Sequence, residues 1–165
     1  MNSFKRILLV EDSPRDTELA LNALRAHNLA NEVATLRDGA EALDYLYQRG
    51  DFADRENGQP ALILLDLKMP KVDGLEVLRQ IKSDPKLKVI PVVVMTSSRE
   101  DQDVVSSYQL GVNAYVVKPV KFPEFVDAVK LLGLFWAILN EPPPACLYPA
   151  GEPSPTPPTK NDARI

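Results

Sequence analysis

Residues 62–66 read Leu-Ile-Leu-Leu-Asp, four consecutive apolar residues ended by a carboxylate. So short and continuously apolar a run predicts a strand covered on both faces, as in a parallel sheet. The pattern recurs on either side. Ile7–Val10 ends in Glu11-Asp12, Val92–Met95 in Thr96-Ser97-Ser98, and Ala114–Val117 in Lys118-Pro119, while Glu32–Leu36 supplies a fifth run. Helical spacing fills the gaps: Leu19, Ala20, Ala23 and Leu24 within 17–24; Ala42, Leu43, Leu46 and Tyr47 within 40–47; Leu75, Leu78 and Ile81 within 75–81; then 104–110, and a last helix from Phe122. Strand and helix alternating five times predict a right-handed, doubly wound α/β fold. Five strands fit the flavodoxin-like order 2-1-3-4-5, with five helices.

Such sheets bind ligands beyond the carboxyl ends of their strands. Three carboxylates (Glu11, Asp12, Asp66), a hydroxyl (Thr96) and an amine (Lys118) stand there together. One acid at a strand end ordinarily caps the next helix; five reactive groups above apolar strands exceed that explanation. Carboxylates a few ångströms apart repel one another unless a cation lies among them. Oxygen ligands without His or Cys fit Mg²⁺, which takes one or two carboxylates plus phosphate oxygens. With an ammonium and a hydroxyl alongside, the rim suits a phosphoryl group. Asp66, ending the central strand, is the expected nucleophile, forming an aspartyl-phosphate. Asp12 is expected as a metal ligand and Glu11 as the holder of metal-bound water.

Composition excludes other chemistries. The chain has 165 residues, of which 45% are hydrophobic and 25% charged, which suits one globular domain. Its single cysteine, Cys146, rules out an intramolecular disulfide and Cys-rich zinc sites, and its single histidine, His27, rules out His-rich metal sites. His27 falls near the end of the first helix, where a cation is favourable, and is assigned no catalytic role. Cys146 reads as a small tail residue. A net charge of −4 argues against nucleic-acid binding. The four-residue apolar run near the N-terminus is too short for a signal peptide or a membrane span, so a cytoplasmic location with no membrane partner is expected.

Four segments together, ILLVEDS at 7–13, LILLDLKMPKVDG at 62–74, VVVMTSS at 92–98 and AYVVKP at 114–119, resemble the receiver domains of two-component response regulators over about residues 4–132. The resemblance implies that Asp66 accepts a phosphoryl group from a histidine kinase. It implies Mg²⁺ held by Asp12, Asp66 and the backbone carbonyl of Lys68, with Glu11 acting through water. Lys118 would pair with the phosphoryl oxygens. Thr96 would be the switch hydroxyl and Tyr115 the aromatic that follows it, repacking the face made by the fourth helix, fifth strand and fifth helix. Lys68 and Ser98 occupy positions that tune phosphoryl lifetime in receivers, or are simply solvated loop residues. A cis Lys118–Pro119 bond is also implied; otherwise Pro119 only opens the last connection.

The chain divides into a receiver unit, residues 1–139, and a Pro-rich tail, 140–165, holding eight of the fifteen prolines. Such a tail sustains neither helix nor central strand; it reads as a spacer or as an arm reaching a partner subunit. No output domain follows, so a single-domain regulator is expected. Residues 131–139, LLGLFWAIL, are apolar all round, where a surface helix shows one stripe. A homodimer interface through Leu132, Leu134, Phe135, Trp136 and Leu139 is expected, with packing beneath the tail as the alternative. The loop at 50–60 and this apolar ending resemble regulators partnered with phytochrome-type light-sensing histidine kinases. Two other classes compete. An aspartyl-nucleophile phosphatase would carry a second Asp two residues after the first, where Lys68 stands. A phosphate-independent dimeric scaffold would ignore loss of Asp66.

Overall fold

The computed structural model describes residues 6–25, 33–56 and 58–141. His27, Glu32, Cys146 and the Pro-rich segment from Pro142 onward lie outside the described residues. Five strands, β1 (Ile7–Val10), β2 (Val33–Leu36), β3 (Leu62–Leu65), β4 (Val92–Thr96) and β5 (Ala114–Val117), form one parallel sheet in the order β2-β1-β3-β4-β5. Five helices connect and flank them, so the flavodoxin-like expectation holds. β3 is central, which puts Asp66 in the middle of the rim.

Alternation along the strands sorts the core into two layers. Leu8, Val10, Ile63, Leu65, Val92 and Val94 pack against α2 (Gly39–Tyr47) and α3 (Gly74–Ser83). Ile7, Leu9, Leu62, Leu64, Val93 and Met95 pack against α1 (Pro14–Arg25) and α5 (Phe122–Gly133). β1 and β3 are buried along their whole length, which is why their sequences do not alternate.

Polar residues define the helix starts. α1 begins three residues before the apolar spacing predicts, because Pro14 fits the first helical position and Ser13 Oγ accepts from the Asp16 N–H at 3.3 Å. Asp38 caps α2 through the Glu41 N–H, and Asp73 caps α3 through the Glu76 N–H. α4 (Asp101–Gln109) also starts early, with Asp101 and Asp103 in a first turn where negative charge is favourable. α4 differs from its neighbours in that its buried residues, Asp103 and Ser107, are both polar.

α5 widens at its end into a π-helical turn, Leu134–Leu139, closed by the Asn140 N–H donating to the Phe135 carbonyl at 2.6 Å. Here the structure redistributes the expected interface. Leu132 and Trp136 turn inward and pack partly buried on the α1/α5 core layer beside Val129 and Ala137. The outward stripe is Leu131, Phe135, Ile138 and Leu139, each at least half exposed. The apolar ending therefore has two faces, one of which the domain's own core already covers. A second correction concerns Lys118–Pro119, which is trans; no cis peptide occurs among the described residues. Trans is the intrinsic preference of such bonds by about 0.5–1 kcal/mol, and Lys118 reaches the acidic rim from that backbone.

Candidate functional site

The sheet ladder itself assembles the rim. The Glu11 N–H donates to the Leu36 carbonyl, the Asp66 N–H to Val10, and the Lys118 N–H to Thr96, at 3.0, 3.0 and 2.7 Å. Glu11, Asp66 and Lys118 are thus each the first residue beyond a strand and hydrogen-bonded to the neighbouring strand, and Thr96 is the last within β4. Side-chain oxygens of Glu11, Asp12 and Asp66 all lie within 4.8 Å of one another. Glu11 and Asp66 are buried while Asp12 is exposed, so the cluster opens to solvent on the Asp12 side. Three hard oxygen donors with one exposed side fit a divalent cation that keeps several waters.

Lys118 balances this charge. Its Nζ lies 2.5 Å from Glu11 Oε2, 3.0 Å from Asp16 Oδ2 and 3.3 Å from Asp66 Oδ2. Burial alone would lower its pKa, but the surrounding carboxylates, Glu11 foremost, outweigh burial and hold the ammonium charged. One cation cannot neutralise every acid around it. Burial pushes the Glu11 carboxyl up to about 7 and the Asp66 charge pushes the same way, against the pull of Lys118. Asp16 is the acid that the sequence reading omitted. Its signal was positional: once Pro14 opens α1, residue 16 lies in the first turn, directly above the β1 end.

The loop beneath Asp66 depends on one glycine. The Gly74 N–H donates to the Leu67 carbonyl at 2.8 Å, and a Cβ at residue 74 would collide with the Asp66 carbonyl oxygen and the Leu67 Cα. Only glycine lets α3 start this close to the Asp66 backbone. Lys68 follows, its N–H donating to Asp66 Oδ1 at 3.3 Å.

On the far side, Thr96 is fully buried and its Oγ1 accepts from the Ser98 N–H at 3.4 Å. Tyr115 is half-buried, and its hydroxyl donates to the Ser98 carbonyl at 3.1 Å. Glu11, Asp12, Asp66 and Lys118 therefore stand as one cluster. Thr96 and Tyr115 meet at Ser98. The outward stripe of α5 lies apart from both.

Fold, acidic rim and central strand-end aspartate together define a class, and the chain belongs to the response regulator receiver domain family, matching it over residues 7–130. Response regulator Rcp1 of Synechocystis sp. is 44% identical over 135 residues, covering 82% of this chain and 90% of its own. The crystal structure of Mn²⁺-bound Rcp1 superposes with a TM-score of 0.80 at 42% identity, over 85% of this chain and 99% of that one. The phosphorylated cyanobacterial phytochrome response regulator RcpA gives 0.80 at 45%, over 85% and 99%. The bacteriophytochrome response regulator RtBRR is 64% identical, with a TM-score of 0.68 over 86% and 85%. Among the described residues no helix is long and apolar enough to cross a membrane.

Proposed function

We propose that this chain is a phospho-accepting switch whose acceptor is Asp66, serving a phytochrome-type histidine kinase in the cytoplasm. The observation that carries the reading is the convergence of Glu11, Asp12 and Asp66 within 4.8 Å, with the Lys118 ammonium 3.3 Å from Asp66. An Asp66 carboxylate oxygen bonds to the phosphorus of a phosphohistidine, the P–N bond breaks, and the imidazole leaves with the electron pair and takes up a proton. Asp12, Asp66 and the Lys68 carbonyl would hold Mg²⁺, with Glu11 acting through water. The metal's contribution is to neutralise charge on the phosphoryl oxygens. Lys118 leaves its carboxylate partners to pair with the same oxygens. Thr96 supplies a hydroxyl to them, which disturbs the Ser98 loop and hence the Tyr115 hydrogen bond. The signal thus passes to the face built by α4, β5 and α5. The names of RcpA and RtBRR favour a phytochrome partner, as does the Mn²⁺-bound form of Rcp1 for a divalent metal. The chain modifies itself and turns over no external substrate.

The outward stripe Leu131, Phe135, Ile138 and Leu139 is the contact of a homodimer, Phe135 being its aromatic anchor. Two experiments test the reading. Intact-mass spectrometry after acetyl phosphate and Mg²⁺ is expected to show one added phosphoryl group on wild type and none on Asp66→Ala. No addition to wild type from either acetyl phosphate or a phosphorylated phytochrome-type kinase would falsify it. For the dimer, Phe135→Asp is expected to convert a dimer to a monomer in sedimentation; a monomeric wild type removes that part.

A further inference from the structure

The Lys118 ammonium is shared among carboxylates of two kinds. Glu11 and Asp66, at 2.5 and 3.3 Å, belong to the cluster whose oxygens suit a divalent cation. Asp16, at 3.0 Å, stands outside that cluster, in the first turn of α1. Ser13 fixes its place relative to the cluster. The Ser13 N–H donates to Glu11 Oε1 at 3.1 Å, and Ser13 Oγ accepts from the Asp16 N–H at 3.3 Å. Asp16 and Lys118 also line one small cavity, together with Ala20 of α1 and Phe125 and Val129 of α5. Those three are apolar, so Asp16 is the carboxylate that the helix side of this cavity offers. The Lys118 side chain is 10% exposed, and an ammonium so buried needs an anionic partner.

The charges show what this extra partner does. Without Asp16, Lys118 would be left with Glu11 and Asp66. A dication held at Glu11, Asp12 and Asp66 would then contend with the ammonium for the same oxygens. Positive charges a few ångströms apart disfavour one another. We infer that Asp16 is a positioning residue for divalent-metal binding: it gives Lys118 a carboxylate outside the Glu11–Asp12–Asp66 cluster, so that the ammonium and a metal ion occupy the rim together. This deepens, and rests on, the reading of that cluster as a metal site. Asp16 acts through Lys118, which stays charged beside Asp66 and available to phosphoryl oxygens.

The test titrates Mg²⁺ alone into chelator-stripped wild type, Asp16→Asn, Lys118→Met and the double variant by calorimetry. It is run at about pH 8, where Glu11 is deprotonated. Asparagine keeps the shape of aspartate and removes its charge, and thermal melting checks each fold. Asp16→Asn is expected to weaken Mg²⁺ binding about five- to tenfold, within the usual range of coupling between two sites. In the Lys118→Met background the same substitution is expected to change affinity by no more than about twofold, because the group through which Asp16 acts is gone. An Asp16 that merely adds negative potential to the rim predicts the same loss in both backgrounds. Equal losses therefore overturn the inference, as does Asp16→Asn binding Mg²⁺ as tightly as wild type. If Asp16→Asn fails to fold, Asp16→Ala is read in its place by the same criteria. Wild type that binds no Mg²⁺ overturns the metal reading and this one together; normal wild-type binding with no effect at residue 16 overturns only the role of Asp16.

Discussion

Glu11 shows how burial and charge compete at one residue. Its folded pKa, about 7, lies above the ordinary 4.5, chiefly because burial disfavours the charged form. A raised folded pKa means that the folded state binds the extra proton, so its contribution is complete below about 4.5 and is lost as pH rises through about 7. Metal-free protein should therefore lose stability across that window, by at most about 3 kcal/mol, measurable by urea unfolding in chelator. Asp38, Asp84 and Asp103 are shifted downward, by hydrogen bonds and cationic neighbours, and act only at more acidic pH, outside this window. Divalent metal should reverse the sign, since it binds the deprotonated form, and its affinity should rise with pH through about 7. A second residue-scale prediction concerns Gly74. Gly74→Ala should cost about 2–3 kcal/mol by displacing the backbone of Asp66 and Leu67, whereas Gly58→Ala, with open space around it, should change urea unfolding little. The carboxylates, Thr96 and Lys118 were legible in the sequence because strand ends place them. Asp16 and Asp103 were not, since each lies in the first turn of a helix that starts before its apolar periodicity does.

At the scale of elements, α4 stands out. The other helices bury apolar stripes, but α4 buries Asp103 and Ser107, and the Ser107 hydroxyl has no hydrogen-bond partner among the described residues. An unsatisfied buried hydroxyl costs about 1–3 kcal/mol. Ser107→Ala is therefore expected to raise stability by about 1 kcal/mol, read as a higher thermal midpoint. A helix so weakly anchored suits the repacking on phosphorylation proposed above, and under that proposal the same variant should bias the equilibrium toward the packing described here. α5 makes the opposite point. Its ending, residues 131–139, reads as apolar on every side, and only tertiary packing separates the Trp136 face from the Phe135 face. Periodicity could not split the two, because both are made of the same residue types.

The whole molecule couples two ionic networks across one aspartate, with Lys118, Glu11 and Asp16 toward α1, and Lys68, Ser98 and Asp103 toward α4. Asp66→Asn should therefore do more than remove the proposed acceptor. By relieving the charge that helps raise Glu11, it should lower the Glu11 pKa and flatten the stability loss between about pH 4.5 and 7, a difference visible in matched unfolding titrations. The sequence by itself determined the parallel sheet, its two-sided burial and the acidic rim. Those follow from strand runs and from residues adjacent in the chain, where local pattern and final position coincide. Tertiary structure alone decided which carboxylates share Lys118, that Asp103 bridges two loops, and which half of the last helix faces out. Each of these depends on distances between residues far apart in the chain, and only the closed packing of strands and helices sets those distances.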